Sequence, residues 1–153
     1  MKFLKPFFVF LLLNFSALGI GSFFMAEGPQ GDWYLQLDKA PWTPDGWVFG
    51  VAWTSIMICF SIYMVSLYLK RFTKKVRILF LIQFILNISW NFLFFNQKHI
   101  DLALVNITLL TFIVAVFLFT YLKDLKIKSI FILPYLIWLC IATSLNLYIS
   151  IYN

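Results

Sequence analysis

Charged side chains are scarce in this chain of 153 residues, with 12 Lys and Arg and 6 Asp and Glu, and histidine and cysteine are scarcer still. Soluble domains carry about 25% charged and roughly 45–50% apolar residues. Here 12% are charged and 63% hydrophobic, more apolar surface than a soluble core could hide. His99 is the single histidine and lies in a short polar loop, where a lone imidazole reads as a solvated loop residue rather than an axial ligand to iron. Cys59 and Cys140 stand inside apolar runs with no CxxC or histidine partner, so buried inert thiols are the default and a disulfide or zinc site is not expected. Glycine-rich phosphate loops, Gly-x-Ser-x-Gly and paired catalytic carboxylates are all missing. No metal and no cofactor are expected.

The placement of the few charges is what organises the chain. They fall in residues 1–5, 27–45, 70–77, 98–101 and 123–128, leaving charge-free spans of 20 to 25 residues between and after them. A helix rises about 1.5 Å per residue, so ~20 residues cross the roughly 30 Å hydrocarbon core. Barrel strands would need about 9–11 residues of alternating polarity, and these runs are continuously apolar. The expected fold is an all-α integral membrane protein, a bundle of five transmembrane helices over residues 6–26, 46–69, 78–97, 102–122 and 129–151, in a single domain 1–153. Residues 27–45 form a long loop with Trp33, Tyr34 and Trp42, too long for a mere connector, and read as a folded lid.

The first span has a second reading as a secretory signal peptide, because Lys2 and Lys5 precede an apolar run ending near Ala26. A signal core is usually ~7–15 residues, shorter than this run, and Gly28-Pro29 suits cleavage poorly. A retained helix is the preferred reading. The cations then set orientation: Lys2, Lys5, Lys70, Arg71, Lys74, Lys75, Arg77, Lys123, Lys126 and Lys128 share one side, against Lys39 and Lys98 on the other. By the positive-inside rule the N-terminus is expected in the cytoplasm and the C-terminus outside. The net charge of +6 therefore points to a lipid bilayer surface and not to nucleic acid.

The aromatic residues supply the functional signal. For Trp33, Trp42 and Trp47 an interfacial belt is explanation enough. Trp53, Trp90 and Trp138 lie too deep in their spans for that. Gln83, Asn87, Trp90, Asn91 and Phe94 recur at spacings of three and four, as do Trp138, Ala142 and Asn146, so each set lines one helical stripe. Amides facing lipid would lack partners, so these stripes are expected to face the bundle interior. Bonding between helices accounts for Asn14, Asn106 and Asn146 as well as any function does. Beside Trp90, Asn87 favours a pocket.

Trp33-Tyr34, Lys39-Ala40-Pro41-Trp42-Thr43-Pro44, Phe49-Gly50 and Trp53 resemble the first loop and second helix of the translocator protein family, also called tryptophan-rich sensory proteins. Gln83 with Leu86-Asn87, Trp90-Asn91 and Phe94-Phe95 resemble its third helix, Leu102-Ala103 its fourth, and Pro134-Tyr135, Trp138, Ala142 and Leu145-Asn146 its fifth. The chain departs from the family pattern at Ala40-Pro41 and Pro44-Asp45, where the family usually has Lys-Pro-x-Trp and paired prolines. The resemblance implies a pocket for porphyrins and aromatic drug-like molecules, lined at Tyr34, Pro44, Trp53, Asn87, Trp90, Trp138 and Ala142. A flat macrocycle is well held by aromatic faces with a few polar anchors.

Three functions compete on this reading. A membrane receptor or sensor for porphyrin or a similar flat hydrophobic molecule leads. A transporter is the second, weakened because five spans do not divide into equal inverted repeats and no ionisable coupling group lies in a span. The third is a light-dependent porphyrin-degrading enzyme, with Trp53 and Trp138 as its electron or radical carriers. Expected partners are the ligand, the bilayer and, optionally, a second copy in a homodimer. A bacterial cell membrane is the expected location.

Overall fold

The computed structural model describes residues 2–153, and these are helical almost throughout. In chain order the helices are α1 (Leu4–Phe23), a 3₁₀ turn Gly28–Gln30, α2 (Asp32–Gln36), α3 (Gly46–Arg71), α4 (Lys74–Asn91), α5 (Ile100–Leu125), a 3₁₀ segment Lys126–Ile132 and α6 (Leu133–Tyr152). Between α4 and α5, residues Phe92–Asn96 widen into a π-helical turn, closed by the bond from Gln97 N–H to Phe92 O at 2.9 Å.

Four continuous helical stretches are long and apolar enough to cross a membrane, and the last of them, Ile100–Tyr152, runs 53 residues. At 1.5 Å per residue that is far more than one crossing needs. It doubles back at Lys126, whose φ of 52° is left-handed. The returning α6 lies antiparallel to α5, with the Thr111 and Thr143 hydroxyls 3.2 Å apart and Asn146 Nδ2 donating to Ile100 O at 3.2 Å. The result is the bundle of five long helices expected from the sequence.

The helices end where the sequence changes from apolar to charged, for local reasons. Lys70 and Arg71 occupy the last turn of α3, where cations meet the negative end of the helix dipole. Thr73 caps α4 by accepting from Val76 N–H at 3.4 Å. Pro134 sits in the first turn of α6, where its missing N–H costs nothing. Helix α4 begins at Lys74, before the expected 78, and α5 ends at Leu125, beyond 122. A charge-free window measures hydrocarbon depth, whereas a helix continues among the headgroups with its lysines extended to water. Residues 27–45 also differ from an irregular loop, since they contain the 3₁₀ turn and α2.

Around the bundle the neighbours run α1, α4, α5, α6, α3 and back to α1. The core is a column of side chains from these helices, including Phe60, Tyr63, Met64, Val114, Phe117, Tyr135 and Leu139. Outside it the surface is apolar: Leu12 is 72% exposed, Phe119 71% and Phe112 64%. An aqueous protein rarely leaves such a continuous apolar surface uncovered, and a bilayer solvates it.

Amides stitch the helices together. Asn14 Nδ2 donates to Ser61 Oγ at 2.8 Å, joining α1 to α3. Asn106 Nδ2 donates to Leu86 O at 2.8 Å and its Oδ1 accepts from Ser89 at 2.9 Å, joining α5 to α4. Asn146 links α6 to α4 and α5, accepting from Trp90 Nε1 at 3.0 Å while donating to Ile100 O. All three asparagines thus bond between helices, the role the sequence allowed them.

Candidate functional site

A partly open cavity of about 280 Å³ reaches into the bundle, with exposed Ser22, Gly50 and Thr54 at its rim, and all five long helices wall it. Helix α1 contributes Leu18 and Ser22, and Met25 follows in the turn beyond it; α3 contributes Phe49, Gly50, Trp53 and Thr54; α4 contributes Asn87, Trp90 and Asn91. Ile107 and Leu110 of α5 and Leu139 of α6 complete it. Most of the lining is apolar or aromatic, with amides and hydroxyls at a few points, which is the usual make-up of a small-molecule site.

Three of the seven sequence-derived site residues meet at this cavity: Trp53, Asn87 and Trp90. Trp53 is half-buried and its ring stands edge-on to Tyr135 at 6.0 Å. Trp90 is stacked on Phe94 at 5.0 Å with 13° between planes. Its N–H is held by Asn146, so the indole is fixed in place while its ring lines the cavity. Asn87 is 5% exposed and donates from Nδ2 to Tyr135 Oη at 3.0 Å, while Oδ1 has no bond among the described residues.

Behind Asn87 sits a polar triad in the apolar core. The Tyr135 hydroxyl accepts from Gln83 Nε2 at 2.8 Å and from Asn87 Nδ2 at 3.0 Å. Both amides come from α4 and the phenol from α6, two helices that are not neighbours around the bundle. The phenol therefore reaches across the interior and fixes the orientation of Asn87. Gln83 Oε1 is buried without a partner among the described residues.

The other four site residues lie elsewhere. Trp138 and Ala142 are buried in α6 and do not line the cavity. Phe49 connects the two regions, since it lines the cavity and meets the Trp138 ring edge-on at 5.3 Å. The Trp138 Nε1–H is buried with no acceptor among the described residues, an arrangement that few native groups show. Tyr34 packs on Phe94 and Phe95, with centroids at 6.2 and 5.4 Å, and Lys39 Nζ lies 4.9 Å from its ring centre. Burial holds the Tyr34 phenol above its ordinary pKa, so it stays neutral at physiological pH. Pro44 is half-buried in the loop.

The segment 27–45 is fastened over one end of the bundle at three places. Trp33 and Tyr34 of α2 pack on Phe94. Trp42 Nε1 donates to Ser144 Oγ at 3.2 Å and its ring meets Tyr148 edge-on. Asn153 grips Asp38 twice, its Oδ1 accepting from Asp38 N–H at 2.9 Å and its Nδ2 donating to Asp38 O at 3.2 Å.

Sequence reasoning overlooked the contribution of α1. Its signal was present in Asn14, Leu18 and Ser22, polar and apolar positions four apart that share one face, with Met25 a further turn on. Close approach makes that face effective. A Cβ on Gly21 would come within 2.6 Å of Asn91 Nδ2, so glycine at 21 lets α4 present Asn91 to the cavity. Among the described residues no group of three or more His, Cys, Asp or Glu side chains could hold a metal, and both cysteines are free.

Comparison with known proteins agrees with this architecture. The chain is 33% identical over 145 residues to the tryptophan-rich protein TspO of Archaeoglobus fulgidus, covering 93% of this chain and 94% of that protein. It is 30% identical over 132 residues to the human translocator protein, covering 83% and 78%. To the tryptophan-rich sensory protein of Cereibacter sphaeroides it is 29% identical over 115 residues, covering 75% and 73%. Residues 8–152, nearly the whole chain, match the pattern of one family of multi-pass membrane proteins, and this chain belongs to that family, TspO/MBR.

Proposed function

We propose that this protein is a membrane receptor for a flat hydrophobic ligand of the porphyrin class, bound against Trp53 and Trp90 with Asn87 as polar anchor. The observation that carries the reading is the meeting of two deep indoles and an amide of fixed orientation in a cavity walled by every long helix. Indole faces supply broad apolar contact for a planar ring system. Asn87 Oδ1 has an accepting position to offer a pyrrole N–H or a carboxylic acid. The names borne by the relatives, sensory protein and translocator protein, support a binding role.

Volume bears on how such a ligand fits. About 280 Å³ lies at the lower edge of the roughly 300–1,000 Å³ usual for small-molecule sites, so a macrocycle needs more room. Rotation of Phe49 would join the cavity to the region of Trp138 and Ala142, where the unpartnered indole N–H awaits an acceptor. In this proposal the loop 27–45, with Tyr34 and Pro44, is the lid that loosens to admit the ligand. The cation distribution supports a cytoplasmic N-terminus and an outer C-terminus, with the lid on the outer side, and the bacterial relatives support a bacterial cell membrane.

The test is titration of purified protein with protoporphyrin, followed by quenching of tryptophan fluorescence, in darkness and in light. Saturable binding with no loss of porphyrin under either condition is expected. Consumption of porphyrin in light only would assign the site to degradation instead, with Trp53 and Trp138 as its redox candidates. If Trp53→Ala and Trp90→Ala in folded protein both leave affinity unchanged, the cavity is not the site.

A further inference from the structure

A second cleft, of about 440 Å³, lies at the end of the bundle opposite the lid, between the start of α1, the end of α3 and the start of α4. Its apolar wall includes Phe10, Tyr68, Phe72 and Phe80, and two cations, Lys5 and Arg77, complete it. The aromatic rings hold one another in place. Phe10 meets Tyr68, Phe72 and Phe80 edge-on at 6.2, 6.3 and 5.5 Å, and Tyr68 meets Phe72 at 4.9 Å. Several of these groups are open to the surroundings, with Tyr68 43% and Phe72 39% exposed.

Charge balance distinguishes this cleft from ordinary lipid-facing surface. Ten of the twelve cations belong to the segments at this end, namely residues 2–5, 70–77 and 123–128, and the sole carboxylate in those segments is Asp124. Asp124 is already engaged: its carboxylate bonds Arg71 at 3.1 Å, and its backbone oxygen accepts from Lys70. Lys5 and Arg77 have no acidic partner among the described residues. A cleft with an apolar, aromatic wall and two unneutralised cations, at the depth where a helical bundle meets headgroups, calls for an amphiphile with an anionic head and a hydrocarbon tail.

We infer that this cleft is a binding site for one anionic phospholipid, its phosphate between Lys5 and Arg77 and an acyl chain along Phe10, Phe72 and Phe80. Arg77 can chelate a phosphate with two parallel N–H donors while Lys5 adds a point charge. The aromatic wall and the exposed Val9 beside it give the chain a contact surface that a zwitterionic lipid would share, so the headgroup decides the preference. The site is separate from the interior cavity and does not depend on what that cavity binds.

The experiment uses the full chain in mixed micelles with phosphatidylglycerol or phosphatidylcholine, and native mass spectrometry to count retained lipids. A direct charge-assisted contact to the phosphate is worth about tenfold, so the double substitution Lys5→Gln/Arg77→Gln should lower phosphatidylglycerol retention on the order of 100-fold. The double substitution Lys126→Gln/Lys128→Gln makes the same change in net charge at the same end and should lose only the diffuse surface attraction, well short of that factor. Arg77→Lys should restore part of it, and Leu13→Trp, at the cleft wall, should lower retention with no change of charge. Equal loss in the two double variants would mean diffuse surface attraction and overturn the proposal. So would undiminished preference for phosphatidylglycerol in a well-folded Lys5→Gln/Arg77→Gln protein.

Discussion

Removing the Tyr135 hydroxyl should cost more than removing either amide that bonds to it. Tyr135→Phe takes away two accepted bonds, of 2.8 and 3.0 Å, and leaves both Gln83 Nε2 and Asn87 Nδ2 without that acceptor in the bundle interior. Hydrogen bonds between transmembrane helices average about 0.6 kcal/mol and reach ~1.7. Two lost bonds with two stranded donors therefore amount to about 1–2 kcal/mol. Asn87→Leu, of similar volume, removes one bond and leaves Tyr135 paired with Gln83, for a loss of about 0.6 kcal/mol. Gln83→Met also removes one bond, but with it goes the buried Oε1 that has no partner. Those two effects oppose each other, and the change should stay within about 0.5 kcal/mol. Reversible unfolding in mixed micelles, read by tryptophan fluorescence, ranks the three variants. A Gln83→Met protein as unstable as Tyr135→Phe would refute a triad organised by the phenol. The same variants divide fold from function. Asn87→Leu should also weaken porphyrin binding about fivefold, the equivalent of one lost hydrogen bond, whereas Gln83→Met should leave affinity alone.

Further outcomes follow from single contacts. Gly21→Ala places a Cβ against Asn91 Nδ2, a side-chain end able to swing aside, so thermal stability should fall by less than about 1 kcal/mol while porphyrin affinity changes. An unaltered affinity would show that Asn91 does not matter to the ligand. Asn153→Ala removes both bonds to Asp38 and should raise ligand association and dissociation rates together, measurable by stopped-flow quenching, with little change at equilibrium. Rates equal to those of the parent would remove the lid from the binding path. On a background lacking Cys59 and Cys140, an impermeant thiol reagent applied outside should label Gln36→Cys and Asn153→Cys but not Thr73→Cys. The reverse pattern would invert the orientation.

The sequence alone determined the all-helical membrane class, the five long helices and which of their ends gather the cations. Those properties follow from transfer free energy and charge, which add along the chain with little regard to neighbours. Deep Trp53 and Trp90 and the amide between them were legible too, because a helix has a fixed period and an amide cannot face lipid. What the chain could not disclose is azimuth, the direction each helix turns its stripe once four others pack around it. Trp138 and Trp90 looked equivalent in sequence, yet one N–H is tied to Asn146 and lines the cavity while the other is buried off it without a partner. Tyr135, one aromatic among many along the chain, became the acceptor for two amides on a non-adjacent helix. Gly21 gave no hint of function until α4 lay against it. Such assignments depend on contacts between residues dozens of positions apart, so only the tertiary structure decided them.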